Sequence, residues 1–330
     1  MHDGSITVGL AYPPAWDQRP PEHIAKDLTA LHQLSPAVRV LPCRLDLPGA
    51  AADKVALSIT VAVALSLPPD VTCIAPRLRW VQCLGAGVGK LPVTQLTEQG
   101  IEITTGSGVN ATGVAEFALT RLLAHVKRLD DLGRQQRQRQ WAPCHGAQLA
   151  GTTLGILGPG TIGTLIAERA RAFGMRVLGV ARHPGRPRPH IDALYPPEDL
   201  HIMLTRCDAV IAALPETPAT TDWMDEQAFA AMPPGAFFCN IGRGSLVVED
   251  ALIAALRSGH LAGAALDVTR EEPLPADSPL WTTPRLALSP HAAADPTAHF
   301  TGLFALLKEN LSRHIRGRPL IHRYDHARGY

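Results

Sequence analysis

The sequence predicts an α/β protein with two doubly wound parallel sheets, and three observations predict it. Short β-rich runs alternate with helical patterns from one end of the chain to the other. A long helical stretch at 111–129 divides that alternation into two series. A glycine motif then opens the second series at a strand-to-helix junction. The length, 330 residues, suits about two domains of roughly 150 residues each.

In the first series, 6–11, 38–43, 57–63, 80–84 and 101–105 read as strands, and 21–31 reads as a helix between the first two. The 111–129 stretch carries Val114, Phe117, Ala118, Arg121, Leu122 and His125 at mixed three- and four-residue spacing. Its polar continuation GRQQRQRQW, ending at Trp141, reads as a solvated helix face, because its charges lack interleaved aromatics. The second series has strands at 154–157, 177–181, 209–213, 236–240, 262–266 and 286–288. Helices are expected at 161–173, 197–205, 226–231, 249–258 and 296–315. The prolines of ARHPGRPRPH, 181–190, block helix and strand ladders and make that segment a loop. The last helix lies beyond the last strand, so it is expected to pack back on the first domain.

Composition narrows the function classes. Hydrophobic residues are 46% and charged residues 18%, an ordinary globular balance. Lys+Arg 31 against Asp+Glu 30 gives a net charge of +1, which excludes a generally basic nucleic-acid binder. The longest apolar run, 55–67, is too short to span a bilayer, so no membrane partner is expected. The N-terminal stretch lacks a basic region followed by an apolar one, so no secretory signal is expected. Six cysteines without a CxxC pair disfavour a disulfide scaffold and a metal site, and a reducing, cytoplasmic setting is expected.

LGILGPGTIG, 154–163, places Gly158, Gly160 and Gly163 in G-x-G-x-x-G spacing after an apolar strand and at the start of a helix. Gly158 allows a tight turn, Gly160 lets backbone approach a pyrophosphate, and Gly163 lets the helix lie close to the strand. The amides at the helix start, with Thr161 and Ile162, would bind the phosphate charge. This is the fingerprint of a Rossmann NAD(P)-binding domain. An NAD binder usually places Asp or Glu at the end of the second strand. Here that residue is Ala181, followed by Arg182, and no carboxylate occurs before Asp192. A guanidinium at 182 can bond a ribose 2′-phosphate, so NADP(H) is favoured and NAD(H) remains open.

Six motifs in this order resemble the D-isomer-specific 2-hydroxyacid dehydrogenases: WVQCLGAGVG, GVNATGVAEFAL, LGILGPGTIG, NIGRGSLVVEDAL, AALDVTREEPLP and LSPHAA. Within that family the chain is most similar in motif to glyoxylate/hydroxypyruvate reductases. The resemblance covers the chain from about residue 77 onward; earlier residues match only in pattern. It implies a Rossmann domain at 111–291 inserted in a flavodoxin-like substrate domain formed by 1–110 and a returning C-terminal helix within 292–330. It also implies a homodimer through the nucleotide domain.

The resemblance further implies site residues. Arg243 in NIGRGS would orient the 2-keto acid, which suits a guanidinium facing a carboxylate and a carbonyl. His291 in SPHAA would donate the proton, and Glu272 would hold its ring, with Glu271 an adjacent decoy. The family's spacing from Asp267 selects Glu272, and Asp267 itself resembles the residue beside the nicotinamide carboxamide. Leu214, Pro215 and Ile241 fall on positions near the cofactor. Ala86, Gly87 and Val88 fall on the loop that binds the substrate carboxylate as an anion nest. Many relatives carry Asp where this chain has Gly89. Trp281 is open between a site wall and a core or dimer role.

The implied activity is NAD(P)-dependent interconversion of a small 2-keto acid, glyoxylate or hydroxypyruvate first, and its D-2-hydroxy acid. Phosphite and formate dehydrogenases share the fold, but formate enzymes carry Gln at the position of Glu272, which disfavours formate. The alternative from another class is a dinucleotide-sensing scaffold resembling the family's corepressors. An enzyme of this fold acting on an amino or phospho substrate is a third reading.

Overall fold

The computed structural model describes residues 6–10, 21–43, 45 and 54–326. The chain divides into two compact units: residues up to Asn110 together with residues from Pro296 onward, and Ala111–Asp295 between them.

The first unit begins with β1 (Ile6–Leu10), α1 (Pro21–His32), β2 (Val38–Pro42), β3 (Val61–Ala64), α2 (Val71–Ile74), β4 (Trp80–Cys83), α3 (Val93–Glu98) and β5 (Glu102–Thr104). The strands pair in parallel in the order β2-β1-β3-β4-β5, the flavodoxin-like winding. The inner strands VAVA and WVQC are buried at every residue, as strands covered on both faces must be. Ala11, expected to end the first strand, lies outside the described residues. The run at 57–63 is not one strand. Ala56–Ser58 forms a 3₁₀ turn, and the strand starts only at Val61.

The second unit contains α4 (Ala111–Val126), α5 (Leu129–Arg137), β6 (Thr153–Leu157), α6 (Thr161–Ala172), β7 (Arg176–Val180), β8 (Ala193–Tyr195), α7 (Leu200–Leu204), β9 (Ala209–Ala212), α8 (Glu226–Ala231), β10 (Phe237–Asn240), α9 (Glu249–Arg257), β11 (Gly263–Leu266) and β12 (Leu286–Leu288). Its seven strands run in the order β12-β11-β10-β9-β6-β7-β8 and pair in parallel. Read from β8, this is the doubly wound dinucleotide-binding order, with the reversal between β6 and β9. Alternation along β10 separates two cores. Phe237 and Cys239 pack with α4 and α6, while Phe238 packs with α7, α8 and α9.

Two expectations are corrected here. The stretch 111–129 breaks at Arg128, which adopts a left-handed conformation with φ 56°, and α5 restarts with Asp130 and Asp131 in its first turn. The apolar stripe of α4 ends before the break and α5 buries no residue, so no packing holds one straight helix through both. The 197–205 stretch likewise divides into a 3₁₀ turn, Pro197–Asp199, and α7.

The helix α10 (Pro296–Ile315) opens on a proline at its first position and belongs to the first unit. Its Phe300, Leu303, Phe304, Leu307 and Leu311 pack with Val8, Leu10, Leu31 and Trp80. Each such side chain contributes about 1.5–3 kcal/mol on burial. After α10 the chain reaches β5, where Thr105 N–H donates to the His322 carbonyl at 2.9 Å and Tyr324 N–H to the Ile103 carbonyl at 2.8 Å. Asn310 is fully buried and accepts from Ile321 N–H at 2.8 Å, which fixes that return. Among the described residues no helix is long and apolar enough to cross a membrane.

Candidate active site

The glycine loop follows β6 at the switch point of the second unit. Gly158 has φ +88°, and a Cβ there would come within 2.9 Å of Leu214 Cδ2 and 3.1 Å of the Ala213 carbonyl. Only glycine satisfies both constraints. A Cβ on Gly163 would sit 2.5 Å from the Gly158 carbonyl, so the missing side chain lets α6 lie on β6. Gly160 is different: it caps α6, and a Cβ there would meet nothing within 4 Å. The space above Gly160 and the first amides of α6, at Thr161, Ile162 and Gly163, therefore fits a pyrophosphate.

Ala181 and the exposed Arg182 follow the end of β7, next to this loop in the sheet. Asp192 is the nearest later carboxylate, and it is engaged elsewhere. It accepts the Val177 N–H at 2.8 Å, near the start of β7, and pairs with Arg171. The Val177 amide and then the Arg171 guanidinium hold its carboxyl below the usual carboxylate range.

The loop after β9 places Leu214 against two glycines. Besides meeting Gly158, its backbone carbonyl would lie 2.6 Å from a Cβ on Gly242. Thr220 Oγ1 donates to the Pro215 carbonyl at 2.9 Å and accepts from Thr217 N–H at 3.0 Å, which holds the loop in shape. Ile241 is buried and donates its N–H to the Ala212 carbonyl at 3.0 Å. Next to it, Asn240 is fully buried at the end of β10. Its Oδ1 accepts Gly242 N–H at 3.0 Å and its Nδ2 donates to the Arg243 carbonyl at 2.9 Å. The turn that presents Arg243 is thus braced by one amide side chain, and Arg243 Nη1 donates to the Gly242 carbonyl at 2.7 Å.

His291 Nδ1 lies 2.9 Å from Glu272 Oε2. Glu272 Oε1 in turn accepts Thr269 N–H at 3.2 Å. Both members of the pair are about half exposed. His291 adopts φ +52°, an uncommon conformation for a side-chain-bearing residue. Backbone bonds hold it there: its N–H donates to the Asp267 carbonyl at 2.8 Å and to the Ser289 carbonyl at 3.0 Å. Asp267 is buried beneath. It accepts from Ser289 Oγ at 2.6 Å, Ala292 N–H at 2.9 Å and Ala293 N–H at 3.0 Å. A buried carboxylate with three donors fixes the loop that carries the imidazole. Glu271 is exposed, and its carbonyl, not its carboxylate, accepts from Thr269 Oγ1 at 2.7 Å.

The structure therefore brings together Arg243, Glu272, His291 and Asp267 at the C-terminal ends of β10, β11 and β12, the edge where open α/β sheets bind ligands. It also brings Leu214 against the glycine loop. Asn240, Ser289 and Arg270 were not singled out from sequence. A polar Asn closing the apolar run FFCN was the one available signal. Trp281 is exposed, and its Nε1 donates to the Pro275 carbonyl at 2.8 Å.

Ala86, Gly87 and Val88 lie in the first unit, in the loop after β4. Ala86 and Gly87 are exposed, and among the described residues no acceptor is bonded by the N–H groups of 86–88. Such free, successive amides can receive an anion. Cys83 Sγ donates to the Gly87 carbonyl at 3.4 Å, and burial pushes that thiol up to about 11. A Cβ on Gly89 would meet nothing within 4 Å, so the loop has room for a side chain there. Among the described residues no cluster of three or more His, Cys, Asp or Glu could hold a metal ion.

A family model for the NAD-binding domain of D-isomer specific 2-hydroxyacid dehydrogenases matches residues 119–293. The chain is similar to a crystal structure of a D-isomer specific 2-hydroxyacid dehydrogenase family protein from Aeromonas salmonicida, with 31% identity, 97% of this chain and 99% of that one covered, and a TM-score of 0.82. It is 29% identical to a D-isomer specific 2-hydroxyacid dehydrogenase from Xanthobacter autotrophicus in complex with NADPH and MES, with 99% of each chain covered and a TM-score of 0.81. It is 28% identical to an NADPH-dependent glyoxylate/hydroxypyruvate reductase from Sinorhizobium meliloti in complex with NADP and sulfate, with 99% and 100% covered and a TM-score of 0.80.

Proposed function

The chain belongs to the D-isomer specific 2-hydroxyacid dehydrogenase family of NAD(P)-dependent oxidoreductases, and from that membership we propose that it reduces glyoxylate, hydroxypyruvate or a similarly small 2-keto acid to the D-2-hydroxy acid. The observation that carries this reading is the 2.9 Å His291–Glu272 bond, set at the same sheet edge as Arg243 in a unit opened by a dinucleotide loop. The Sinorhizobium relative supports the substrate class.

The nicotinamide dinucleotide, when bound, supplies a hydride. Gly158, Gly160, Thr161, Ile162 and Gly163 would hold its pyrophosphate, and Leu214, Pro215, Ile241 and Asp267 would hold its nicotinamide half. Arg243 pairs with the acid and fixes the direction of the keto group. The Ala86, Gly87 and Val88 amides take a carboxylate. His291 donates from Nε2, which bonds no protein group among the described residues, while Glu272 holds Nδ1. The carbonyl carbon gains the hydride pair, its oxygen gains this proton, and the half-exposed ring regains one from solvent.

NADPH is the proposed preference, supported by Ala181, by Arg182 and by the engagement of Asp192 away from the end of β7. A homodimer is also proposed. Leu129, Leu132 and Trp141 leave apolar surface exposed on and after α5, which a second copy would cover. Six cysteines in 330 residues, none in a CxxC pair, support a cytoplasmic, reducing setting as part of this proposal.

The test is loss of reduced-nicotinamide absorbance with a panel of small 2-keto acids and both cofactors. Turnover of glyoxylate or hydroxypyruvate is expected. Tight cofactor binding with negligible turnover across the panel would overturn the reading in favour of a dinucleotide-sensing scaffold.

A further inference from the structure

Arg270 stands between the two loops that carry the site. Its Nε donates to the Val247 carbonyl at 2.7 Å and its Nη2 to the Ser245 carbonyl at 3.4 Å. Its Nη2 also pairs with Asp222, whose own N–H donates to the Ser245 carbonyl at 2.9 Å. Its backbone N–H donates to Glu249 Oε1 at 2.8 Å, in the first turn of α9. All these partners flank the turn that begins at Arg243. On its other side, Thr269 gives its N–H to Glu272, which holds His291. The two loops also touch directly, because a Cβ on Gly244 would overlap the backbone of Thr269 and meet Arg270 N at 2.6 Å.

We infer that Arg270 is a positioning residue: its guanidinium ties the Arg243 turn to the loop carrying Glu272, so that the acid-binding group and the proton donor are held as one body. A planar guanidinium can serve two carbonyls and a carboxylate together, which an ammonium on a flexible stem cannot. The guanidinium is partly exposed, so its ion pair adds little to stability, and its effect lies in geometry. The inference rests on the roles proposed above for Arg243 and His291.

The test compares wild type with Arg270→Met, Arg270→Lys and Asp222→Asn. The keto acid is varied at saturating NADPH, with hydrogen exchange of the 243–248 backbone measured alongside. Arg270→Met is expected to raise KM and lower kcat, so that kcat/KM falls by at least about tenfold. NADPH affinity and Tm should stay near wild type, and exchange across 243–248 should quicken. Arg270→Lys should recover part of the loss. Asp222→Asn keeps both carbonyl bonds and should change kcat/KM by less than Arg270→Met. Wild-type kcat/KM in Arg270→Met, or a loss that only follows a fall in Tm, would overturn the inference. If the wild type turns over no keto acid, the functional reading fails instead; exchange then decides the clamp alone, and unchanged protection at 243–248 overturns it.

Discussion

Glu272 Oε2 reaches His291 Nδ1 at 2.9 Å, and that bond fixes which ring nitrogen is left to serve a substrate. With Nδ1 committed, Nε2 is the nitrogen from which the proposed proton donation would come. His291→Ala should lower kcat by about a hundredfold or more, the usual cost of losing a general acid, with NADPH affinity nearly unchanged. Glu272→Gln keeps an acceptor but loses the charge, and should cost less than His291→Ala. Glu271→Gln should do little, since that side chain makes no bond to the ring. Steady-state kinetics with the preferred keto acid check all three. A kcat within a few-fold of wild type in His291→Ala would place the proton donor elsewhere.

Gly160 separates ligand effects from folding effects. Its Cβ position meets nothing within 4 Å, so Gly160→Ala should fold with a Tm close to wild type. The added methyl would occupy the space assigned to the pyrophosphate, and NADPH Kd should rise by about tenfold or more. Gly163→Ala should behave oppositely and lose stability, because its Cβ would sit 2.5 Å from the Gly158 carbonyl. Calorimetry and cofactor titration on the two variants distinguish the outcomes.

Burial explains what was legible from sequence. Inner strands such as AVIA and FFCN are buried at every residue, so they read as continuous apolar runs. The edge strand β8 is only partly buried at each of its residues, and ALY carries no such run. The break at Arg128 depends on where packing on α4 stops, which periodicity alone does not mark. Arg243, Glu272 and His291 could be named as candidates because their motifs resemble a family. Asn240, Ser289 and Arg270 were not, because each acts on a backbone that only the folded strand ends bring near.

His125 should make the second unit sensitive to acid. Its ring stacks on Phe237 at a centroid distance of 4.7 Å, and burial holds its pKa below the usual histidine value, with Asp130 opposing and Arg285 adding to the shift. The unfolded chain would then take up a proton below about pH 6.5 that the folded ring resists. Stability is therefore present at neutral pH and is lost as pH falls toward the folded pKa. His299 and His314, both lowered mainly by burial, add the same sign in the first unit. His125→Phe should make the fall in Tm between about pH 7 and pH 5 shallower. An unchanged slope would mean that this ring does not limit acid stability.

The proposed cofactor preference rests on what replaces a carboxylate at the end of β7. Ala181 offers no acceptor for a ribose 2′-hydroxyl, and Asp192 is held at the other end of the strand by Val177 and Arg171. On the proposed reading NADH would lack a bond that an acidic residue gives, while the Arg182 guanidinium would form a charge-assisted bond to a 2′-phosphate. Together these effects amount to about 1.5–3 kcal/mol, or roughly ten- to a hundredfold in kcat/KM. Arg182→Ala should remove most of the NADPH advantage and leave NADH kinetics nearly unchanged. Ala181→Asp should shift preference the other way, because it supplies the ribose acceptor and repels the phosphate. Paired kcat/KM measurements with both cofactors on these two variants check the assignment. Equal or better wild-type efficiency with NADH would show that the basic residue at 182 does not read the 2′-phosphate.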